Sequence, residues 1–485
     1  MGKVYLIGAG PGDEELITLK AIRKLKECTA VMYDRLSGTG VLKYLNEKCK
    51  IYYCGKEPGC HYKTQDEINE MLVQLAKEGH IVGRIKGGDP YIFGRGGEEA
   101  LRLIEENIEF EVVPGITSPI SVLNYGGIPV THRKIAQSFH VFTGKSAAKL
   151  NINWDAAAHV GGTLIFLMGF ENLGFISGKL IESGMSEDTP CAVVMKGTTA
   201  KQKKVVGTLS DIKEKAAEAG LHSPCIIVVG EVVNFNDKLN WFEQKPLFGR
   251  NICVTRTKEQ SKEIRETLID LGAQVTEINS IAIKNTSENL DNFINKLNDY
   301  NYIVCTSVNG VNSLFDYLSD KNYDVRNIKA TFTAIGPATE EAIKARGIIP
   351  EIVAEKFVAE SLFDSMKKVV KPGDKIFIPR AKNARPYLVQ VLKEAGCIVD
   401  ECHAYETVTG SLHNKDSFDE VDTVIFTSPS TVENMIKIVG LESIKQKKVI
   451  SIGPITGKAL EKNDVNYEMC SEYTTKSIID KLLEG

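Results

Sequence analysis

The chain has 485 residues, enough for roughly three or four domains of ordinary size. Hydrophobic residues make up 43% and charged residues 25%, a globular composition, and the net charge of -4 lacks the basic footprint of a nucleic-acid binder. No apolar run approaches the ~18 residues a membrane span needs, and Met1-Gly-Lys-Val-Tyr-Leu-Ile runs into a strand pattern, not a signal peptide.

Gly2 invites a myristoylation motif, but Leu6 stands where Ser or Thr is required. A cytoplasmic location is therefore expected, with no nucleic-acid or membrane partner. The eleven cysteines are scattered and form no C-x-x-C pair, so buried reduced thiols are expected and no metal site.

In chain order, strand patterns at Val4–Ile7, His80–Ile85, Thr163–Leu167, Cys225–Val229, Asn251–Val254, Tyr302–Cys305, Lys375–Ile378 and Thr423–Phe426 alternate with helical ones such as Thr18–Glu27 and Glu98–Glu106. That rhythm predicts mainly parallel sheets covered by helices. After the first strand, Gly8-Ala-Gly10-Pro-Gly12-Asp13 approaches a dinucleotide fingerprint. Asp13 would take the third glycine's place and set an acid against the pyrophosphate, and Pro11 interrupts the turn, so nicotinamide or flavin binding is not expected. A tight turn offering its backbone to another ligand remains open.

Gly87-Gly88-Asp89-Pro90-Tyr-Ile-Phe93-Gly-Arg95-Gly96-Gly97-Glu98-Glu99 must form an open loop after a strand. It is either a glycine-rich turn or a ligand loop in which Asp89 supplies an acceptor.

With Tyr33-Asp34-Arg35-Leu36, Gly55-Lys56, Gln65-Asp-Glu-Ile-Asn69, Val112-Val-Pro-Gly-Ile-Thr-Ser118, Gly127-Ile-Pro129, Thr131-His132-Arg133, Phe166-Leu-Met168-Gly169 and Val228-Val-Gly230, these segments give residues 1 to about 235 a resemblance to uroporphyrinogen-III C-methyltransferase of the tetrapyrrole-methylase family. The resemblance implies a pair of α/β lobes, about 1–114 and 115–235, with S-adenosyl-methionine between them. It puts that cofactor against Pro11, Gly87, Gly88, Asp89, Ile92, Thr117, Ser118, Met168 and Gly197. It makes Asp34 the proton acceptor and Lys56 the proton donor; read from the residues alone, Asp34 is a strand-end turn residue and Lys56 a solvated surface charge. Arg35, Arg95, His132 and Arg133 are candidate partners for the substrate's carboxylates, which guanidinium groups bind in bidentate fashion. Two segments depart from the family pattern, Thr143-Gly144-Lys145 and Met195-Lys-Gly-Thr-Thr199. A homodimer through this half is the family expectation.

The polar segment Phe235–Arg250, with Trp241 and Pro246, interrupts the rhythm and is read as a linker over 236–250. Beyond it the sequence repeats. Thr255-Arg256 after a strand recurs as Pro379-Arg380, Thr306-Ser-Val-Asn-Gly-Val as Thr427-Ser-Pro-Ser-Thr-Val, and Ala334-Ile-Gly-Pro-Ala-Thr339 as Ser451-Ile-Gly-Pro-Ile-Thr456. Three blocks in one order mean two similar α/β units with a cleft between them. Hydroxyls and helix amides after strands suit an anionic ligand, or simply cap helices. With Leu247-Phe-Gly-Arg-Asn-Ile-Cys-Val-Thr-Arg256 and His403-Ala-Tyr405-Glu-Thr407, the blocks resemble uroporphyrinogen-III synthase over 247–485. That resemblance implies one lobe from about 247–283 plus 404–485 and another from about 284–403, joined by a two-strand ladder. It makes Tyr405 the proton donor for ring closure of hydroxymethylbilane. Thr255, Arg256, Thr306, Ser307, Arg380, Thr427, Ser428 and Thr456 would hold carboxylates. The architecture expected overall is a two-lobed α/β methylase unit followed by a two-lobed α/β synthase unit, acting on tetrapyrroles.

Overall fold

The computed structural model describes residues 2–34, 40–46, 48–55, 64–145, 152–255, 258–278, 280–409 and 416–484. The first sheet contains β1 (Lys3–Gly8), β2 (Ala30–Tyr33), β3 (Lys50–Tyr53), β4 (Ile81–Lys86) and β5 (Glu109–Val113), all parallel, in the order β3-β2-β4-β1-β5. Strand periodicity builds two cores on its faces. Val4 and Leu6 face one helical layer, with Met32 and Leu72, while Tyr5 and Ile7 face the other, with Leu25 and Ile85. The helices begin where the chain supplies caps. The Thr18 hydroxyl accepts from Ala21 N, and Thr64 forms a reciprocal capping box with Glu67.

The second sheet contains β6 (Phe139–Thr143), β7 (Thr163–Leu167), β8 (Pro190–Met195), β9 (Lys203–Thr208) and β10 (Cys225–Val229), in the order β6-β7-β10-β8-β9. Here the expectation of mainly parallel pairing fails. Only β6–β7 is parallel, and β7–β10, β10–β8 and β8–β9 are antiparallel. Residues 196–202 between β8 and β9 leave no room for a crossover helix, which parallel neighbours require.

The second half contains β11 (Asn251–Val254), β12 (Gln274–Glu277), β13 (Ile281–Asn285), β14 (Tyr302–Cys305), β15 (Thr331–Ala334), β16 (Ile352–Val353), β17 (Lys375–Ala381), β18 (Ile398–Thr409), β19 (Thr423–Phe426), β20 (Lys448–Ser451) and β21 (Glu468–Met469). They form two sheets, β12-β11-β19-β20-β21 and β13-β18-β17-β14-β15-β16. The chain leaves the first of these after β12, pairs β13 antiparallel with β18, and returns to it at β19.

Residues 236–250 are not an open tether. Trp241 packs edge-on to Tyr125, Phe242 is buried against it, and Leu247 is buried with its N–H on Leu271 O. The polarity of this segment hid three apolar anchors. The ten described cysteines form no disulfide with one another, and all but Cys49 are buried. Among the described residues, no helix is long and apolar enough to cross a membrane, and no cluster of His, Cys, Asp and Glu has metal-binding geometry.

Candidate functional site

In the first half, β4, β1 and β5 lie side by side, so the loops after them meet at one sheet edge. Gly10 and Gly88 exchange backbone hydrogen bonds, with Gly88 N donating to Gly10 O at 2.6 Å and Gly10 N to Gly88 O at 3.3 Å. A Cβ on Gly8 would stand 2.5 Å from Gly115 N, and one on Gly115 2.2 Å from Gly88 O, so only glycine lets the three loops touch. Gly88 itself, at φ 67°, faces outward. A Cβ there would meet nothing nearer than Ser118 N at 3.8 Å and Thr117 Cα at 3.9 Å. The cradle is thus tight behind and open in front, where Thr117 starts the helix Ser118–Tyr125 without a side-chain cap.

Asp89 is more committed than its place in the loop suggests. Its Oδ1 accepts from Tyr91 N at 2.8 Å and its Oδ2 from Gly115 N at 3.0 Å, so it braces the glycine loop against the segment after β5. Met168 enters from the second sheet in a left-handed conformation, φ 54°. With Tyr91, Phe93, Arg95, Gly96, Gly97 and Glu98 it lines an open cleft of about 470 Å³. Ile92 is exposed beside them.

Pro11 and Gly197 are drawn together through their neighbours. A Cβ on Gly12 would be 2.9 Å from Thr198 Oγ1, which also accepts from Asp13 N at 3.1 Å. The Asp13 carboxylate caps Glu15 N and accepts from Tyr125 OH at 2.7 Å. Burial, then that carboxylate, push the Tyr125 phenol well above its ordinary value. Asp13, which argued against a dinucleotide, is the joint between the lobes.

Asp34 ends β2 half-buried, with Oδ2 3.3 Å from Arg84 Nη2. Arg84 opens a buried charge network that sequence reasoning missed. Glu99 Oε1 receives Arg84 Nε at 3.2 Å, Lys86 Nζ at 2.8 Å and Gln65 Nε2 at 3.1 Å, while Oε2 has no partner. Burial opposes the Arg84 charge, yet Glu99 and Asp34 outweigh it and raise its pKa. Lys86 moves the other way, because burial and then the Arg84 guanidinium pull its ammonium below the usual lysine value. The signal was present: Arg84 and Lys86 sit two apart in β4, on one face of a strand otherwise built to be buried.

Arg95 is exposed and paired with Glu98 at 2.6 Å on the rim of the cleft. His132 packs against Phe235 with ring centroids 4.8 Å apart and planes tilted by 33°, and Arg133 is exposed; neither lines the cleft. Arg35 and Lys56 lie outside the described residues, as does Arg256 in the second half.

In the second half, Tyr405 on β18 is buried, and its hydroxyl lies 2.8 Å from Ser307 Oγ. Burial raises the Tyr405 pKa; Ser307 and the Arg380 guanidinium partly offset this. Arg380 is buried too, donating to Arg385 O and standing 3.5 Å from Glu401. Burial lowers its pKa against the pull of Glu401 and Tyr405.

The repeated hydroxyls divide into two kinds. Ser307 caps Gly310 N and Ser428 caps Thr431 N, and the Thr255 hydroxyl donates to Ile425 O at 2.9 Å. These are structural hydrogen bonds at helix starts and between strands. The Gly-Pro loops differ. Gly336 and Gly453 give no side-chain cap to the helices Pro337–Lys344 and Pro454–Glu461, whose first amides stay available near Thr339 and Thr456. Thr306 and Thr427 sit half-buried just before the capping serines.

Comparison with known proteins finds one family in each half of the chain. Residues 3–213 match the Tetrapyrrole (Corrin/Porphyrin) Methylases, and residues 262–480 match Uroporphyrinogen-III synthase HemD. The Porphyrin biosynthesis protein HemD of Ruminiclostridium josui is 38% identical, across 100% of this chain and 98% of its own. The S-adenosyl-L-methionine-dependent uroporphyrinogen III methyltransferase of Methanosarcina barkeri is 48% identical over 241 residues, 49% of this chain and 94% of its own. A solved uroporphyrin-III C-methyl transferase from Thermus thermophilus, complexed with S-adenyl homocysteine, is 38% identical; the match covers 48% of this chain and 99% of that one, with a TM-score of 0.42.

Proposed function

Because this chain belongs to the family that joins a tetrapyrrole methylase to a uroporphyrinogen-III synthase, we propose that it carries out two consecutive reactions. The second half cyclises hydroxymethylbilane to uroporphyrinogen III with inversion of the last ring. The first half methylates that product twice, using S-adenosyl-methionine, to give precorrin-2. The observation that carries the methylase reading is the glycine cradle, closed behind at Gly8, Gly88 and Gly115 and open in front at Gly88, Thr117 and Ser118.

That cradle fits the cofactor. Its front offers the uncapped amides and hydroxyls of Thr117 and Ser118 to a carboxylate, and exposed Ile92 and Met168 offer apolar contact to an adenine. Gly87, Gly88 and Asp89 would hold the cofactor from β4, Pro11 from β1 and Gly197 from beyond β8. When bound, S-adenosyl-methionine supplies an activated methyl group on a sulfonium. The protein's part is to align the pyrrole carbon with that methyl, and such positioning accounts for much of the rate in a bimolecular transfer.

The attacked pyrrole carbon carries no hydrogen, so methylation leaves the ring positively charged, and the charge is removed by loss of a proton from the ring nitrogen or a neighbouring bridging carbon. Asp34 would accept that proton, held in place by Arg84, and Lys56 would return a proton. Arg35, Arg95, His132 and Arg133 are the proposed partners of the substrate's carboxylates. In the synthase half the Tyr405 phenol, whose pKa burial raises above the ordinary 10.0, would donate its proton to the departing hydroxide. Arg380 and Arg256, Thr306 and Thr427, and the open amides near Thr456 would take carboxylates. The hydrogen bonds of Thr255, Ser307 and Ser428 favour a supporting role for those three.

On this reading residues 1–235 form the methylase, 236–250 the connection and 247–485 the synthase, in a cytoplasmic homodimer joined through the methylase halves. The test is incubation with uroporphyrinogen III and methyl-labelled S-adenosyl-methionine. Two labelled methyl groups per product are expected; no incorporation would remove the methylase assignment.

A further inference from the structure

Among the described residues, ion pairs at two places join the halves, and both places lie on the loops that carry Pro11 and Gly197. Arg265, in the helix Lys258–Asp270 of the second half, reaches Glu15 Oε1 with Nη1 at 3.5 Å and Glu14 Oε2 with Nη2 at 3.7 Å. Its Nε stands 3.5 Å from Glu277 of its own half. Glu14 and Glu15 open the short turn that Asp13 caps, directly after Pro11 and Gly12. The second place is the pair of Lys201 Nζ to Glu420 Oε1 at 2.8 Å; Lys201 follows Gly197, Thr198 and Thr199. The two loops already grip each other through Asp13 N and Thr198 Oγ1. On the other side, the Glu420 carbonyl accepts from Asn251 Nδ2 at 3.1 Å, at the start of β11. One sheet of the second half therefore straddles the junction of two loops of the first.

We propose that Arg265 is a positioning residue for the cofactor site of the methylase half. Glu14 and Glu15 are adjacent acids on a three-residue turn, and Lys43 pairs with Glu14 alone. With Arg265 the turn is held from outside by a side chain only 15% exposed. Without it, repulsion between the carboxylates opens the turn and moves Pro11 and Gly12 away from Thr198 and Gly197. A guanidinium suits the place because separate N–H groups face separate carboxylates. The cofactor site is thus completed by the enzyme that makes its substrate.

This proposal rests on S-adenosyl-methionine binding beside Pro11 and Gly197. The test measures its Kd by calorimetry in the full chain for wild type, Arg265→Met and Arg265→Lys, with methylation kcat and KM and with synthase turnover as the report of folding. The Met variant should bind roughly three- to fivefold more weakly, the upper range for partly exposed pairs. Methylation kcat at saturating cofactor and synthase turnover should hold, and Lys should restore part of the affinity. If Arg265→Met fails to fold, Glu15→Gln breaks the clasp from the other side and should show the same split between KM and kcat. Added salt should weaken wild-type binding more than the variant's. Unchanged affinity in folded variants of an enzyme that does bind the cofactor would overturn the proposal and leave the site intact. Absence of binding by the wild type would overturn the site itself.

Discussion

Replacing Glu99 by Gln should destabilise the first lobe severely. Glu99 is fully buried, and its Oε1 collects Lys86, Arg84 and Gln65 within 3.2 Å. The glutamine keeps the shape but removes the charge. Two cations with side chains 4% and 6% exposed are then left with Asp34, itself 29% exposed, at 3.3 Å from Arg84 alone. Removing one partner of a buried pair typically costs about 3–5 kcal/mol, because the other charge stays behind without water. Lys86 can relieve part of this by losing its proton. Its folded pKa already lies below the ordinary 10.5, so the unfolded chain binds more protons in the window between the two values, and stability rises with pH there. Losing Glu99 deepens that depression, so the penalty should be largest near neutrality and shrink as the pH is raised toward 10. Arg84 stays charged and offers no such relief. Hydrogen exchange of the β4 amides reads this lobe without assuming one transition for the whole chain. Adding Lys86→Met should recover a large part of the loss. A change below about 1 kcal/mol at pH 7, or one indifferent to pH, would show that Glu99 is not the counter-charge.

Asp34→Asn should slow single-turnover methyl transfer by roughly 10²–10⁴, the usual worth of a general base, while cofactor affinity holds; a loss under about tenfold would leave Asp34 a strand-end residue. Asp89→Ala should weaken cofactor binding through the loop, since Tyr91 and Gly115 lose their shared anchor, and calorimetry on a folded variant that binds as wild type would exclude this. Tyr405→Phe should abolish most synthase turnover. The wild-type rate should show no loss from phenol ionisation up to about pH 9, because burial holds the Tyr405 pKa above the ordinary 10.0; a fall beginning near pH 8 would assign the limb to another group.

The alternation of strands and helices, the glycine loop and the repeats of the second half were legible because each is local. Short apolar runs mark β1, β4 and β7, and glycine marks where backbones touch. What escaped notice depends on distant partners. Nothing within β4 names a partner for Arg84 and Lys86; their shared acceptor, Glu99, lies on the helix after the glycine loop. Ser307 and Ser428 fitted an anion site and a helix cap equally well, and only coordinates separate the two. The antiparallel second sheet turns on the short connection at 196–202 and on β10 inserting between β7 and β8, which no periodicity records. Trp241, Phe242 and Leu247 lie in a polar stretch, and their contacts, all to distant residues, make that stretch part of the packing.

The most direct measurement supplies the full chain with hydroxymethylbilane, with and without S-adenosyl-methionine, and identifies the tetrapyrrole formed. Two coupled activities predict uroporphyrinogen III alone without the cofactor and its doubly methylated product, precorrin-2, with it. Recovery of only the spontaneously closed, uninverted ring without the cofactor, or of unmethylated uroporphyrinogen III with it, would contradict the assignment of the corresponding half.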